Sequence, residues 1–175
     1  NDRYESAQQY IANYNYEKAI EVYKDLGNYK DSPDKVLETK YAYADYLAVI
    51  NRYQDSINLY TELGSYKDSA QKIQQVYLMW GNYSKENKLY GEAFTYYEKA
   101  GNLVTPELLN ETSMEYAQSL ITEGRYQEAL DVLNPMAETV GVPTMIAECY
   151  YNMGKTQVEQ GRFDEAIESF THCYG

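Results

Sequence analysis

The stretch Tyr16-Glu-Lys-Ala19-Ile-Glu-Val-Tyr23-Lys-Asp-Leu-Gly27-Asn-Tyr29-Lys-Asp-Ser32 returns as Tyr53-Gln-Asp-Ser56-Ile-Asn-Leu-Tyr60-Thr-Glu-Leu-Gly64-Ser-Tyr66-Lys-Asp-Ser69. Every matched residue is displaced by 37. Its opening recurs as Tyr90-Gly-Glu-Ala93, Tyr126-Gln-Glu-Ala129 and Phe163-Asp-Glu-Ala166, so small residues fall at 19, 56, 93, 129 and 166. Twelve residues before each stands another: Ala7, Ala44, Gly81, Ala117 and Gly154. Two small residues locked at one separation, five times over, mark an array of stacked supersecondary units.

Each repeat reads as two helices. The first runs to about Asn13, Ile50, Glu86, Thr122 or Glu159, with apolar and small residues at helical spacing such as Ala44/Leu47. A short turn follows at 13–15, Asn51-Arg52, Gly124-Arg125 and Gly161-Arg162. The second helix carries a small residue and, one turn on, a large one: Ala19/Tyr23, Ser56/Tyr60, Ala93/Tyr97, Ala129/Leu133 and Ala166/Phe170. Small residues let two backbones approach, and the large side chain fills the space beside them. Gly27, Gly64, Gly101 and Gly141 stand where second helices end. Ser32-Pro33 and Thr105-Pro106 read as a cap followed by a proline at the start of the next helix, with Asp68 or Ser69 able to cap likewise and Pro143 marking the fifth start. Pro135 falls inside the fourth second helix and predicts a stop or bend near Leu133 or Asn134. Strand patterns are absent.

The pattern resembles the tetratricopeptide repeat family. Tyr77-x2-Trp80-Gly81 and Tyr150-x2-Met153-Gly154 match its large-x2-large-Gly opening, and its Ala-x3-aromatic element matches in four repeats, with Leu133 in place of the aromatic in the remaining one. The period of 36–37 exceeds the usual 34, and Ser56 replaces an alanine. The resemblance implies an all-α, right-handed superhelical solenoid of five antiparallel helix–turn–helix repeats. Their bounds would be about 1–31, 32–68, 69–104, 105–141 and 142–175, in one domain that is expected to be a piece of a longer protein. The Tyr-Lys-Asp-Ser linkers resemble those of bacterial surface and membrane-associated proteins, which leans the location to the extracytoplasmic or membrane-associated side of a bacterial cell.

Charge and composition narrow the function. With 27 acidic and 15 basic residues the formal net charge is −12, which repels nucleic acid and anionic membranes. No apolar run approaches the ~18 residues of a membrane span. The 22 tyrosines against three Phe and one Trp follow the repeat, as at Tyr16, Tyr53, Tyr90 and Tyr126, so their expected task is stacking one repeat on the next. Cys149 and Cys173 fall opposite one another across the last helix pair, as a disulfide or as two thiols. His172 is the sole histidine and adjoins Cys173, about 100° around the helix, so neither a Cys–His pair nor a zinc site assembles. No catalytic residue, metal site or cofactor is expected. The triplets at Asn82 and Asn110 match a glycosylation pattern and nothing more.

In the family, first helices line the inside of the curve and hold the ligand. Counting from the small markers, the inward positions are Tyr4, Tyr41, Leu78, Met114 and Tyr151. Next come Gln8, Asp45, Asn82, Gln118 and Lys155, then Ile11, Ala48, Lys85, Ile121 and Val158, with Glu38, Gln75, Glu111 and Glu148 at the border. An apolar and aromatic seam laced with amides suits a peptide or helix of a protein partner. The other reading of Tyr4, Tyr41 and Tyr151 is that they complete the core within each repeat. A structural role, with self-association through the uncapped C-terminal end, is the alternative function.

Overall fold

The computed structural model describes residues 2–173; Asn1 and the Tyr174-Gly175 end of the expected uncapped terminus lie outside the described residues. The chain is all-α. Its helices are α1 (Asp2–Ala12), α2 (Tyr16–Asp25), α3 (Ser32–Val49), α4 (Tyr53–Leu63), α5 (Ser69–Glu86), α6 (Tyr90–Ala100), α7 (Pro106–Thr122), α8 (Tyr126–Leu133), α9 (Val142–Glu159) and α10 (Phe163–His172). They form five helix–turn–helix pairs in two compact blocks, the first holding α1 to α6 and the second α7 to α10.

The small residues close each pair. Ala7, Ala19, Ala44, Ser56, Ala93, Ala117 and Ala129 are fully buried. At α3/α4 the contact is literal: the Ser56 hydroxyl donates to the Ala44 carbonyl at 2.7 Å. Gly81 and Gly154 have the tightest fit, because a β-carbon there would stand 2.5 Å from the Tyr97 ring and 2.6 Å from that of Phe170. Tyr23, Tyr60, Tyr97 and Leu133 fill the neighbouring space and are buried.

Turns repeat as faithfully as helices. Tyr14, Asn51, Lys88, Gly124 and Gly161 occupy one position, and all five have positive φ, from 59° to 76°. After three of them an arginine folds back on the first turn of the second helix: Arg52 on Asp55, Arg125 on Glu128 and Arg162 on Glu165, at 2.6–2.7 Å. Second helices α4 and α6 end on Gly64 and Gly101, with φ of 55° and 62°.

Tyrosine does stack repeat on repeat. Tyr16 of α2 lies against Tyr43 of α3 with ring centroids 5.3 Å apart, and one period on Tyr53 of α4 lies against Trp80 of α5 at 5.7 Å. Trp80 is then sandwiched from its own pair by Tyr96, at 4.0 Å.

Helix starts split into two kinds. Thr105 caps α7 as expected, its hydroxyl accepting from the Leu108 amide at 3.2 Å, with Pro106 in the first turn. Ser32 and Ser69 do not cap. Each is the first residue of its helix, and its hydroxyl donates back to the carbonyl of Tyr29 or Tyr66 at 2.6 and 2.5 Å. The reason is the left-handed backbone of Lys30 and Lys67 (φ 51° and 48°), which turns the chain so that Asp31 and Asp68 take the cap position. Neither aspartate caps with its side chain. Pro135 ends the fourth second helix as predicted: α8 stops at Leu133 and a 3-10 turn covers Asn134–Met136.

Candidate binding face of the first helices

Within the first block each second helix packs on the next first helix, α2 on α3 and α4 on α5, and α3 also meets α5 directly. In the second block α8 packs on α9, and α7 meets α9. Within each block the first helices therefore lie side by side, and the register positions 4, 8 and 11 of α1 recur along the face they share there.

Tyr4 and Tyr41 are partly or wholly consumed by the fold. The Tyr4 hydroxyl donates to Asp31 and that of Tyr41 to Asp68, both at 2.5 Å. Around each ring the linker closes a clasp. Tyr29 meets Tyr4 edge-on at 6.2 Å, and Lys30 lies over the Tyr4 ring at 4.7 Å. One period later Tyr66 meets Tyr41 at 6.1 Å, and Lys67 lies over it at 4.9 Å. The Tyr-Lys-Asp-Ser motif is thus a lock on the inner tyrosine of its own repeat. Where that tyrosine becomes Leu78, the following linker reads Leu103-Val104-Thr105-Pro106; where it becomes Met114, the linker reads Thr139-Val140-Gly141-Val142. Lock and key disappear together. The hydrogen bond to Asp31 pushes the Tyr4 hydroxyl up to about 12, while burial and Asp68 raise that of Tyr41. Asp31 and Asp68 are correspondingly held below the usual carboxylate range.

The next position serves the adjoining tyrosine. Asp45 accepts from Tyr60 at 2.6 Å and from the Lys72 ammonium at 2.9 Å, and Asn82 accepts from Tyr97 at 2.9 Å. Burial, then Asp45, raises the Tyr60 hydroxyl far above its ordinary value. Gln8 and Gln118 in the same register are exposed. Leu78, Lys85 and Met114 are half-buried, Met114 packing on the core of the second block. Tyr151 is half exposed, with Lys155 over its ring at 5.7 Å. The structure places Tyr4, Gln8, Tyr41, Asp45, Leu78, Asn82 and Lys85 in the first block, and Met114, Gln118, Tyr151 and Lys155 in the second.

One opening in this face escapes motif reading. A slot of about 310 Å³ between α1 and α3 is lined by Gln8, Ile11, Tyr23, Lys35, Glu38, Thr39 and Ala42. Tyr23, from α2, and Thr39 are 1% and 2% exposed. The signal that could have found it was in the register: Gln8 departs from Asp45 and Asn82, and Thr39 departs from Val76.

No set of three His, Cys, Asp or Glu side chains able to hold a metal occurs among the described residues. Both cysteines are thiols. Cys149 is fully buried, which pushes it up to about 11, and Cys173 turns its sulfur toward the Ala147 and Ser169 carbonyls at 3.5 Å. His172 stacks on Tyr150 at 4.8 Å. No described helix is long and apolar enough to cross a membrane.

Comparison with known proteins matches residues 147–175, which include α10 and most of α9, to the tetratricopeptide repeat family. No curated protein matches the chain. Solved structures similar to it include that of MamA, 14% identical over 96% of this chain and 92% of that one, with a TM-score of 0.30. Another holds the nearly identical TPR-like repeats of a Podosopora anserina protein of kinesin light chain type, 15% identical over 99% of this chain and 92% of that one, at 0.27.

Proposed function

We propose that this chain, a tetratricopeptide-like array, is a non-enzymatic interaction module whose first-helix face binds an extended segment of a partner protein. Repeats of this family generally mediate protein–protein interaction. The observation that carries the reading is a division of labour along one register. Tyrosines at positions 4 and 41 are locked inward by their linkers, while Gln8 and Asn82 on the first helices of the first block, and Gln118 and Lys155 on those of the second, are exposed. Exposed amides on a rigid support can bond to the backbone of a peptide of any sequence, and neighbouring aromatic edges add area at small entropic cost.

Backbone amide shifts of the labelled protein, titrated with a peptide selected from a random 12-residue library, test the proposal. Shifts should cluster around positions 8, 45, 82, 118 and 155. Shifts confined to the second helices α2, α4, α6 and α8 would remove it.

A further inference from the structure

The slot between α1 and α3 is a hydrogen-bond site at a repeat junction that lacks its acceptor. In the second repeat the Tyr60 hydroxyl and Lys72 ammonium converge on one Asp45 oxygen. In the third repeat the Tyr97 hydroxyl reaches the Asn82 side-chain oxygen. One period earlier Tyr23 and Lys35 are the counterparts of Tyr60 and Lys72, and Gln8 is the counterpart of Asp45 and Asn82. Gln8 is one methylene longer than asparagine, exposed, and its amide bonds to no described residue. The hydroxyl of Tyr23, whose side chain is almost wholly buried and lines the slot, has no hydrogen-bond partner among the described residues. Neither has Thr39, equally buried, which stands where the third repeat uses Val76. Neither hydroxyl is sealed in the core, where Ser84 Oγ is the one unpartnered buried side-chain oxygen among the described residues; both residues line the slot, so their hydroxyls are free to bond to a group that enters it.

We infer that this slot receives the carboxamide of an asparagine or glutamine side chain from the partner segment, seated where Asp45 and Asn82 sit in the next two repeats. The inference rests on the peptide-binding reading above and names its anchor. Ile11 and Ala42 provide the apolar walls, and the smallness of Ala42 beside Met79 at the next repeat's position helps keep the entrance open. The amide oxygen meets the Tyr23 hydroxyl and Lys35; the amide nitrogen donates to Glu38 at the rim and to the Thr39 oxygen. Lys35 and Glu38 already pair at 2.6 Å, so the rim is a neutral donor–acceptor couple that matches an amide on both sides. A carboxylate would instead face Glu38 on a chain of net charge −12.

A random 12-residue peptide library selected on the wild type, Gln8→Asn, Gln8→Ala and Tyr23→Phe tests this. Gln8→Asn supplies the internal acceptor that the third repeat already tolerates. The wild-type pool should enrich one Asn or Gln position, and its best peptide should bind Gln8→Asn at least ten-fold more weakly and Tyr23→Phe several-fold more weakly, with Gln8→Ala, which leaves the slot empty, weakened less than Gln8→Asn. Enrichment of Asp or Glu at that position, lost on Gln8→Asn, would overturn the amide assignment. Equal binding to wild type and Gln8→Asn would overturn the slot and leave the wider face as the binding surface. Failure of every protein to enrich any peptide would end both.

Discussion

Gly81 and Gly154 hold one register position, yet substituting them should not cost the same. A β-carbon at Gly81 runs into Tyr97, which is 2% exposed and tethered through its hydroxyl to Asn82. At Gly154 it runs into Phe170, half-buried near the end of α10 and without a tether of that kind. Overpacking costs about 1–3 kcal/mol when neighbours cannot yield. Gly81→Ala is therefore expected at the upper end of that range and Gly154→Ala at the lower, read from urea unfolding. The tyrosine hydroxyls give a second comparison. Tyr60 donates to a carboxylate and Tyr97 to a neutral amide, so Tyr60→Phe should cost about 2 kcal/mol and Tyr97→Phe about 1 kcal/mol. Equal losses would mean that Asp45 is no better an acceptor than Asn82.

At the scale of elements, the linkers carry a pH dependence. A carboxylate whose folded value is depressed stabilises above its unfolded value and loses that contribution as pH falls through the folded one. A phenol whose folded value is raised stabilises below its unfolded value and loses the contribution as pH climbs. The clasps Tyr4–Asp31 and Tyr41–Asp68 are thus whole between about pH 4 and pH 10, the unfolded values of the two groups. The Tyr4→Phe/Tyr41→Phe variant should melt at a lower temperature inside that window, and its midpoint should fall less steeply than the wild type's outside it on both sides. Parallel profiles would show that the hydroxyls contribute nothing. These same linkers mark where sequence reading stops. Helix pairing was legible because Ala7/Ala19 and Ala44/Ser56 are fixed by spacing alone, and the stop at Pro135 because a ring on the backbone acts locally. The role of Ser32 was misread, and the partners of Tyr4 and Tyr41 were not visible. Both depend on Lys30 and Lys67 turning left-handed, a conformation that nothing in a lysine announces. The inner positions were legible as a register, but which of them the fold consumes is set by contacts 27 residues away.

At the scale of the whole chain, the buried clusters have a consequence for cooperativity. The first block contains one cluster around Tyr4, Ala7 and Tyr23 and another around Ala44, Tyr53, Tyr60 and Val76. Among the described residues the second block has a cluster around Leu120, Leu130, Leu133 and Val142. Stability in such arrays is close to a sum of repeat terms and nearest-neighbour terms, and about three repeats are needed before the neighbour terms outweigh the rest. Residues 1–103 hold three pairs with two such junctions, α2 on α3 and α4 on α5; residues 104–175 hold two pairs with one, α8 on α9. Expressed separately, 1–103 should unfold in a single cooperative step in urea, whereas 104–175 should show a lower midpoint and a shallower transition by circular dichroism. The ring stacks point the same way, since Tyr16–Tyr43 and Tyr53–Trp80 both bridge junctions of the first block. Removing one of them by Trp80→Leu should bring the midpoint of 1–103 toward that of 104–175. A piece 104–175 as stable as 1–103 would show that stability here comes from within each helix pair and owes little to stacking.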